Sequence, residues 1–354
     1  MGMKMMVPII LLWLLVACGG SVQYNGESDA PYPYDAYVVE SIILGEEIGW
    51  PLGGYLTLPI HAHVDHPVPA VVLVHGSGPA NRDGAIANMR VFADVAHYLS
   101  QNGIAVLRYD KRTYVHGTRM VQALGGSLTV WEETIEDAII AADFLRMDPR
   151  INRIYLLGWS LGGALAPRIH ASGGDFDGLI LFAATPRPLL DVGVEQFFAS
   201  LAVFEARGLG DHPEIVDFRT QLHALIDFIE VVPTLTTEEA KATTVPLFGV
   251  SVYYFREKDA FPFSSMIAKV DVPMLVMQGQ RDYQVLADVD FVMLTNILDG
   301  REDITFILYE DLDHFFMPTT AQNHTEHAEI GLARLPGVQV DAQVLQNIVT
   351  WIWR

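Results

Sequence analysis

Gly158-Trp159-Ser160-Leu161-Gly162-Gly163 joins an apolar run, Ile154-Tyr155-Leu156-Leu157, to a helix-like stretch from Ala164 to His170. A serine on a strand-to-helix turn this tight needs small residues two places before and after it, and Gly158 and Gly162 supply them. The turn lifts the hydroxyl off the sheet. It also aims the next backbone N–H, that of Leu161, and the helix N-terminus at the same spot. A nucleophile and half of an oxyanion hole can thus come from one local structure.

A serine hydroxyl attacks only when a base takes its proton, and the base needs a carboxylate to orient it. In a doubly wound sheet all three must stand at the carboxyl ends of strands. Asp282 follows the apolar run ending at Met277, in Gln278-Gly279-Gln280-Arg281-Asp282-Tyr283-Gln284-Val285. His314 follows the run ending at Leu308, in Asp311-Leu312-Asp313-His314-Phe315. The order serine, aspartate, histidine, each after its own strand, is that of α/β-hydrolases. Asp288 and Asp290 read instead as the start of the next helix, and Asp311 and Asp313 as loop acids that could raise the His314 pKa. A second oxyanion donor is expected after the third strand, in His75-Gly76-Ser77-Gly78-Pro79, from Ser77 or Gly78 N–H. His75 itself reads as a loop histidine bonded to backbone.

These residues need a scaffold, and the chain alternates strand and helix signals. Val38–Leu44 and Gly53–Leu58 suggest a first hairpin. Ala70–Val74 and Ile104–Tyr109 read as buried strands, and Arg153–Leu157, Leu179–Ala183, Pro273–Met277 and Ile304–Leu308 as further strands of the sheet. Helical patterns cover Met89–Gln101, a stretch opened by Thr129-Val130-Trp131-Glu132 and running to Met147, and Asp341–Trp353. Such alternation predicts an α/β fold with a mostly parallel sheet and helices on both faces. Near Pro186 the pattern changes. Residues 190–265 carry helical stretches, notably Glu195–Arg207 and Glu214–Val231, and surface-type aromatics at Tyr253, Tyr254, Phe255, Phe261 and Phe263. They read as a helical lid inserted into a core of 37–189 and 266–354.

The stretches His75–Pro79, Leu107–Arg112, Gly158–Gly163, Gly279–Val285 and Asp313–Phe315 resemble those of bacterial α/β-hydrolases of the serine esterase and peptidase type. The catalytic domains of prolyl-oligopeptidase-like enzymes are similar too, though this chain has no room for their propeller. The resemblance implies Ser160 as nucleophile, His314 as general base and Asp282 as its orienter, with no cofactor. It implies an ester or peptide substrate of small-molecule size. Arg108, Asp110, Lys111 and Arg112 could touch substrate or form an ion-pair cluster at a strand end.

One rival signal stands apart. His61-Ala62-His63-Val64-Asp65-His66 matches the His-x-His-x-Asp-His zinc motif of metallo-β-lactamase-like hydrolases. Pro59 and Pro67 flank it, and it falls between two expected strands, so a polar surface loop is the simpler expectation.

Composition narrows the partners. The 354 residues carry 43 acidic and 22 basic side chains, a formal net charge of −21, and no basic cluster. Nucleic acid is therefore excluded as an expected partner. Residues 1–17 read as a signal peptide: Lys4 precedes a short apolar run too brief to span a bilayer. Leu15-Val16-Ala17-Cys18 resembles a bacterial lipobox, which implies cleavage before Cys18, lipidation of that cysteine and membrane anchoring after export. Residues 18–36, with Gly19, Gly20, Pro31 and Pro33, read as a tether.

Overall fold

The computed structural model describes residues 36–322, 326–327 and 337–354. The signal peptide, Cys18 and the tether lie outside these residues but for Ala36. Tyr37–Leu44 (β1) and Leu52–Pro59 (β2) pair antiparallel, with exposed residues interspersed along β1 as befits an edge strand. Val68–Val74 (β3) is buried at every position, which its run of valines and leucine requires. A small hairpin, Ala85–Ile86 (β4) with Met89–Arg90 (β5), precedes helix Val91–Gln101 (α1). The helix was expected to start at Met89. It starts at Val91 because Met89 pairs with Ile86, while the Asp83 carbonyl accepts from Phe92 and Ala93 N–H.

Ala105–Tyr109 (β6) follows, then helix Arg112–Leu124 (α2). No sequence signal marked α2: of its thirteen residues only Arg112 and Met120 are buried, so it lacks an apolar stripe. The helix expected from Thr129 opens as a π turn over Trp131–Ile135 before helix Glu136–Arg146 (α3). Glu132 accepts from both Thr129 N–H and its hydroxyl, as the capping pattern foretold.

Ile151–Trp159 (β7), helix Leu161–Ile169 (α4) and Gly178–Phe182 (β8) complete the centre. Helices Leu189–Ala206 (α5), Pro213–Val231 (α6), Thr237–Ala242 (α7), Val252–Asp259 (α8) and Phe263–Ile267 (α9) come next. Then come Met274–Gly279 (β9), helix Val292–Ile297 (α10), Ile304–Tyr309 (β10) and the last helix, Ala342–Ile352 (α11). The main sheet runs β1-β2-β6-β3-β7-β8-β9-β10, parallel from β6 onward. Chain direction across the sheet reverses at β3, between β6 and β7, so the loops after β3 and β7 meet at one crevice.

One hydrophobic cluster fills each face of the sheet. α1 and α11 pack on one face; α3, α4 and helices α5 to α9 pack on the other. The aromatics expected at the surface of the insertion are mostly core. Tyr254, Phe255 and Phe263 are buried in the same cluster as Leu165 and Leu181, and only Phe261 stays exposed, against the Arg168 guanidinium. Five helices off a sheet must hide their own apolar surface, and these rings do so. Among the described residues no helix is long and apolar enough to cross a membrane.

Candidate active site

Ser160 sits between β7 and α4 at φ 56°, ψ −117°. A side chain there costs on the order of 1–3 kcal/mol of backbone strain, which the flanking structure must hold in place. Two hydrogen bonds do so: Ser160 N–H to the Phe182 carbonyl at 2.9 Å and Ala164 N–H to the Ser160 carbonyl at 3.0 Å. Close approach explains the glycines. A Cβ on Gly158 would lie 2.3 Å from the Gly162 carbonyl oxygen, and one on Gly162 would lie 2.3 Å from that of Val74. Leu161 is the first helical residue, so its N–H has no partner within α4.

The loop after β3 reaches the same place. A Cβ on Gly76 would stand 3.1 Å from Ser160 Cβ and 3.7 Å from its Oγ. Ser77 is exposed, and Gly78 takes φ 78°, a turn that glycine makes without strain. Both expected oxyanion loops therefore border Ser160. Behind them His75 is buried, its Nε2 3.0 Å from the Asn81 carbonyl and its ring against Phe92 and Tyr109. Desolvation pulls its pKa down to about 3, and the nearby Lys111 ammonium adds to this. It stays neutral and donates to Asn81, the backbone-bonded role the sequence suggested.

Asp282 and His314 meet as the chain order predicts. His314 Nδ1 lies 2.7 Å from Asp282 Oδ2, and both side chains are buried. Asp282 Oδ1 accepts from Gln284 N–H at 2.8 Å and Val285 N–H at 2.9 Å, and Oδ2 also accepts from Gln278 Nε2 at 2.8 Å. An ionised carboxylate only accepts, so the proton on this bond is on Nδ1 and Nε2 carries the free lone pair. Trp159, the residue before Ser160, donates its indole N–H to the His314 carbonyl at 3.0 Å, and the two rings are 5.7 Å apart. The His314 backbone is thereby tethered to the end of the strand that carries Ser160.

Sequence reasoning missed Trp159 and Gln278 as supports. Trp159 occupies the variable position of Gly-x-Ser, which carries no signal of its own; Gln278 has one signal, an amide at the end of a buried strand. The other acids separate cleanly. Asp290 is buried and gripped by Arg187 and the Thr185 hydroxyl, Asp311 pairs with Arg281, and Asp313 accepts from Phe315 and Met317 N–H within its own turn. The strand-end cluster is made of ion pairs: Arg82–Asp110, Arg108–Asp83, Lys111–Glu133 and Arg112 with Glu136 and Asp137. The His61–His66 loop turns back on itself through a His63–His66 bridge, with His63 3.3 Å from the exposed Asp65. No group of three or more His, Cys, Asp or Glu among the described residues is arranged to hold a metal ion.

A second buried imidazole gives a stability test. His97 stacks on Tyr37, and burial, with help from Arg108, lowers its pKa to about 4. The unfolded chain protonates this histidine below its ordinary pKa of about 6.5 while the fold refuses the proton. Its contribution is thus complete above that value and lost as pH falls toward 4. Wild type should lose about 2 kcal/mol more than His97→Phe between pH 6.5 and 4.5. Urea midpoints at the two pH values measure this, and equal losses would sink it.

The chain is similar to several known proteins. A family model described as serine aminopeptidase, S33, matches residues 65–212. Esterase EstD of Thermotoga maritima is 32% identical over 302 residues, which is 85% of this chain and 65% of that protein. The chain therefore spans just under two thirds of the length of that relative. Among solved structures, Est1E from Butyrivibrio proteoclasticus matches with TM-score 0.51 at 14% identity, over 89% of this chain and 99% of its own. An esterase of Pyrococcus furiosus matches with TM-score 0.51 at 11% identity, over 95% and 99%. By its sheet order, its strained serine turn and these likenesses, the chain has the α/β-hydrolase fold.

Proposed function

We propose that this protein hydrolyses carboxylic esters through an acyl-enzyme on Ser160. The observation that carries the reading is the buried Asp282–His314 pair, tethered through Trp159 to the turn that strains Ser160. His314 Nε2 takes the Ser160 proton as Oγ attacks the ester carbonyl carbon. Leu161 N–H and Ser77 or Gly78 N–H hold the oxygen that becomes negative, each donor contributing about 3–4 kcal/mol. The carbonyl reforms as the alcohol leaves with the proton from His314. Water, deprotonated by the same imidazole, then releases the acid and restores Ser160. Asp282 holds the imidazole in its working tautomer and stabilises the imidazolium.

The ester preference rests on the esterase named at 32% identity. The family description favours a second reading, an aminopeptidase or amidase using the same three residues; a thioesterase would use them too. Labelling of purified protein with a fluorophosphonate, mapped by peptide, is expected to mark Ser160. Parallel assays on p-nitrophenyl esters, acyl thioesters and aminoacyl p-nitroanilides are expected to favour the esters. A labelled enzyme that prefers the anilides would move the assignment to peptidase.

We also propose that Cys18 is lipidated after export, on the lipobox-like Leu15–Cys18. Cells fed radiolabelled palmitate should label the protein, and Cys18→Ser should move it out of the membrane fraction. Label that survives Cys18→Ser would refute this.

A further inference from the structure

Lys111 is buried just beyond β6. Its ammonium donates to the Gly76 carbonyl at 2.8 Å and to Glu133 Oε1 at 2.6 Å. The other Glu133 oxygen accepts the hydroxyl of Tyr254, which lies in α8 of the insertion. The anchor is tied at both ends: Lys111 N–H donates to the Ala80 carbonyl at 3.0 Å, and the Ser251 hydroxyl that caps α8 donates to the Gly126 carbonyl at 2.8 Å.

The peptide at stake is Gly76–Ser77. In a trans peptide the C=O and the following N–H point in opposite directions. Fixing the Gly76 oxygen on Lys111 therefore fixes the direction of Ser77 N–H, at the point where the loop comes within van der Waals reach of Ser160. A buried ion pair is a costly device, since apolar side chains of similar volume usually serve stability as well or better. Bonded directly to this loop, it acts on the loop's geometry instead. Resting on the hydrolase reading above, we infer that Lys111, Glu133 and Tyr254 form a buried relay that positions the Ser77 oxyanion donor and couples it to helix α8. Lys111 is a positioning residue in this scheme. Motion of α8 would reach the site through Tyr254 and Glu133, with no contact to substrate. Burial and the Glu133 carboxylate hold the Tyr254 hydroxyl protonated, as a donor must be.

The test compares wild type with Tyr254→Phe, Glu133→Gln, Lys111→Met and the double variant Lys111→Met/Glu133→Leu, which leaves no unpaired charge. Each is assayed for kcat and KM on p-nitrophenyl acetate and for inhibition by an alkyl trifluoromethyl ketone, whose tetrahedral adduct on Ser160 needs the oxyanion donors. Both Lys111 variants are expected to lose about 10- to 100-fold in kcat with KM within about threefold of wild type. Tyr254→Phe is expected to lose about three- to tenfold in kcat. Ketone affinity should fall in step with kcat. Folded variants with kcat within twofold of wild type, or with kcat lowered while ketone affinity is kept, would overturn the relay. If Lys111→Met does not fold, the double variant and Tyr254→Phe decide by the same criteria. A wild type that neither labels nor hydrolyses ester refutes the hydrolase reading instead, and the relay with it.

Discussion

Ser160→Ala is expected to lower ester turnover by at least about 10⁴-fold and to end fluorophosphonate labelling, with the fold unchanged. The loss follows from chemistry: without Oγ no acyl-enzyme forms, and what remains is binding and a polarised carbonyl facing water. The fold should survive because the Ser160 side chain caps nothing in α4, and the hydrogen bonds at this turn are all backbone. Alanine keeps the same backbone at the same φ, so the strain is unchanged and the stability shift should stay within about 0.5 kcal/mol. Steady-state kinetics and a thermal melt together measure this. Residual turnover above about one percent of wild type would require a different nucleophile and would remove the proposed mechanism.

Much of this geometry is legible in the sequence. The strands that carry Ser160 and Asp282 are continuous apolar runs, and such runs announce parallel strands buried on both faces; the one before His314 is an apolar run too, but it forms the half-buried edge of the sheet. Gly158 and Gly162 marked the turn because nothing larger clears the neighbouring carbonyls. What failed to show has physical causes. Helix α2 buries almost nothing, so no stripe betrays it. Tyr254, Phe255 and Phe263 looked like surface groups because irregular short helices carry no clean period, yet the sheet beneath them needed covering. Lys111 was visible only as one charge among four at a strand end. Its two partners, Gly76 and Glu133, lie 35 and 22 residues away in sequence, and no local pattern links them.

The same distinction between local and assembled features governs the other acid of the site. Asp282 could be named from chain order alone, but what a substitution does there depends on the bonds around it. Asp282→Asn is expected to keep the fold and to cost about 10³- to 10⁴-fold in kcat. Gln284 and Val285 N–H both point at Oδ1, so the asparagine oxygen must stay there and its amide nitrogen takes the Oδ2 place. That nitrogen is a donor facing His314 Nδ1, where the carboxylate was an acceptor 2.7 Å away. The imidazole can then accept on Nδ1 only by carrying its proton on Nε2, the nitrogen that must be free to take the Ser160 proton. The amide also meets Gln278 Nε2 head-on. A flip of Gln278 would offer Oε1, which has no partner among the described residues, yet it would bring that oxygen against the Val285 carbonyl that Nε2 now serves. Oxygen facing oxygen in a buried site is unfavourable, so the network resists the repair. Asp282→Glu gives the control: it keeps the carboxylate but displaces it by one methylene, which should restore part of the rate if tautomer control is the cause. Measured kcat values for the two variants decide between them. An asparagine variant as active as wild type would mean that Asp282 serves the loop alone and that His314 is oriented by other groups.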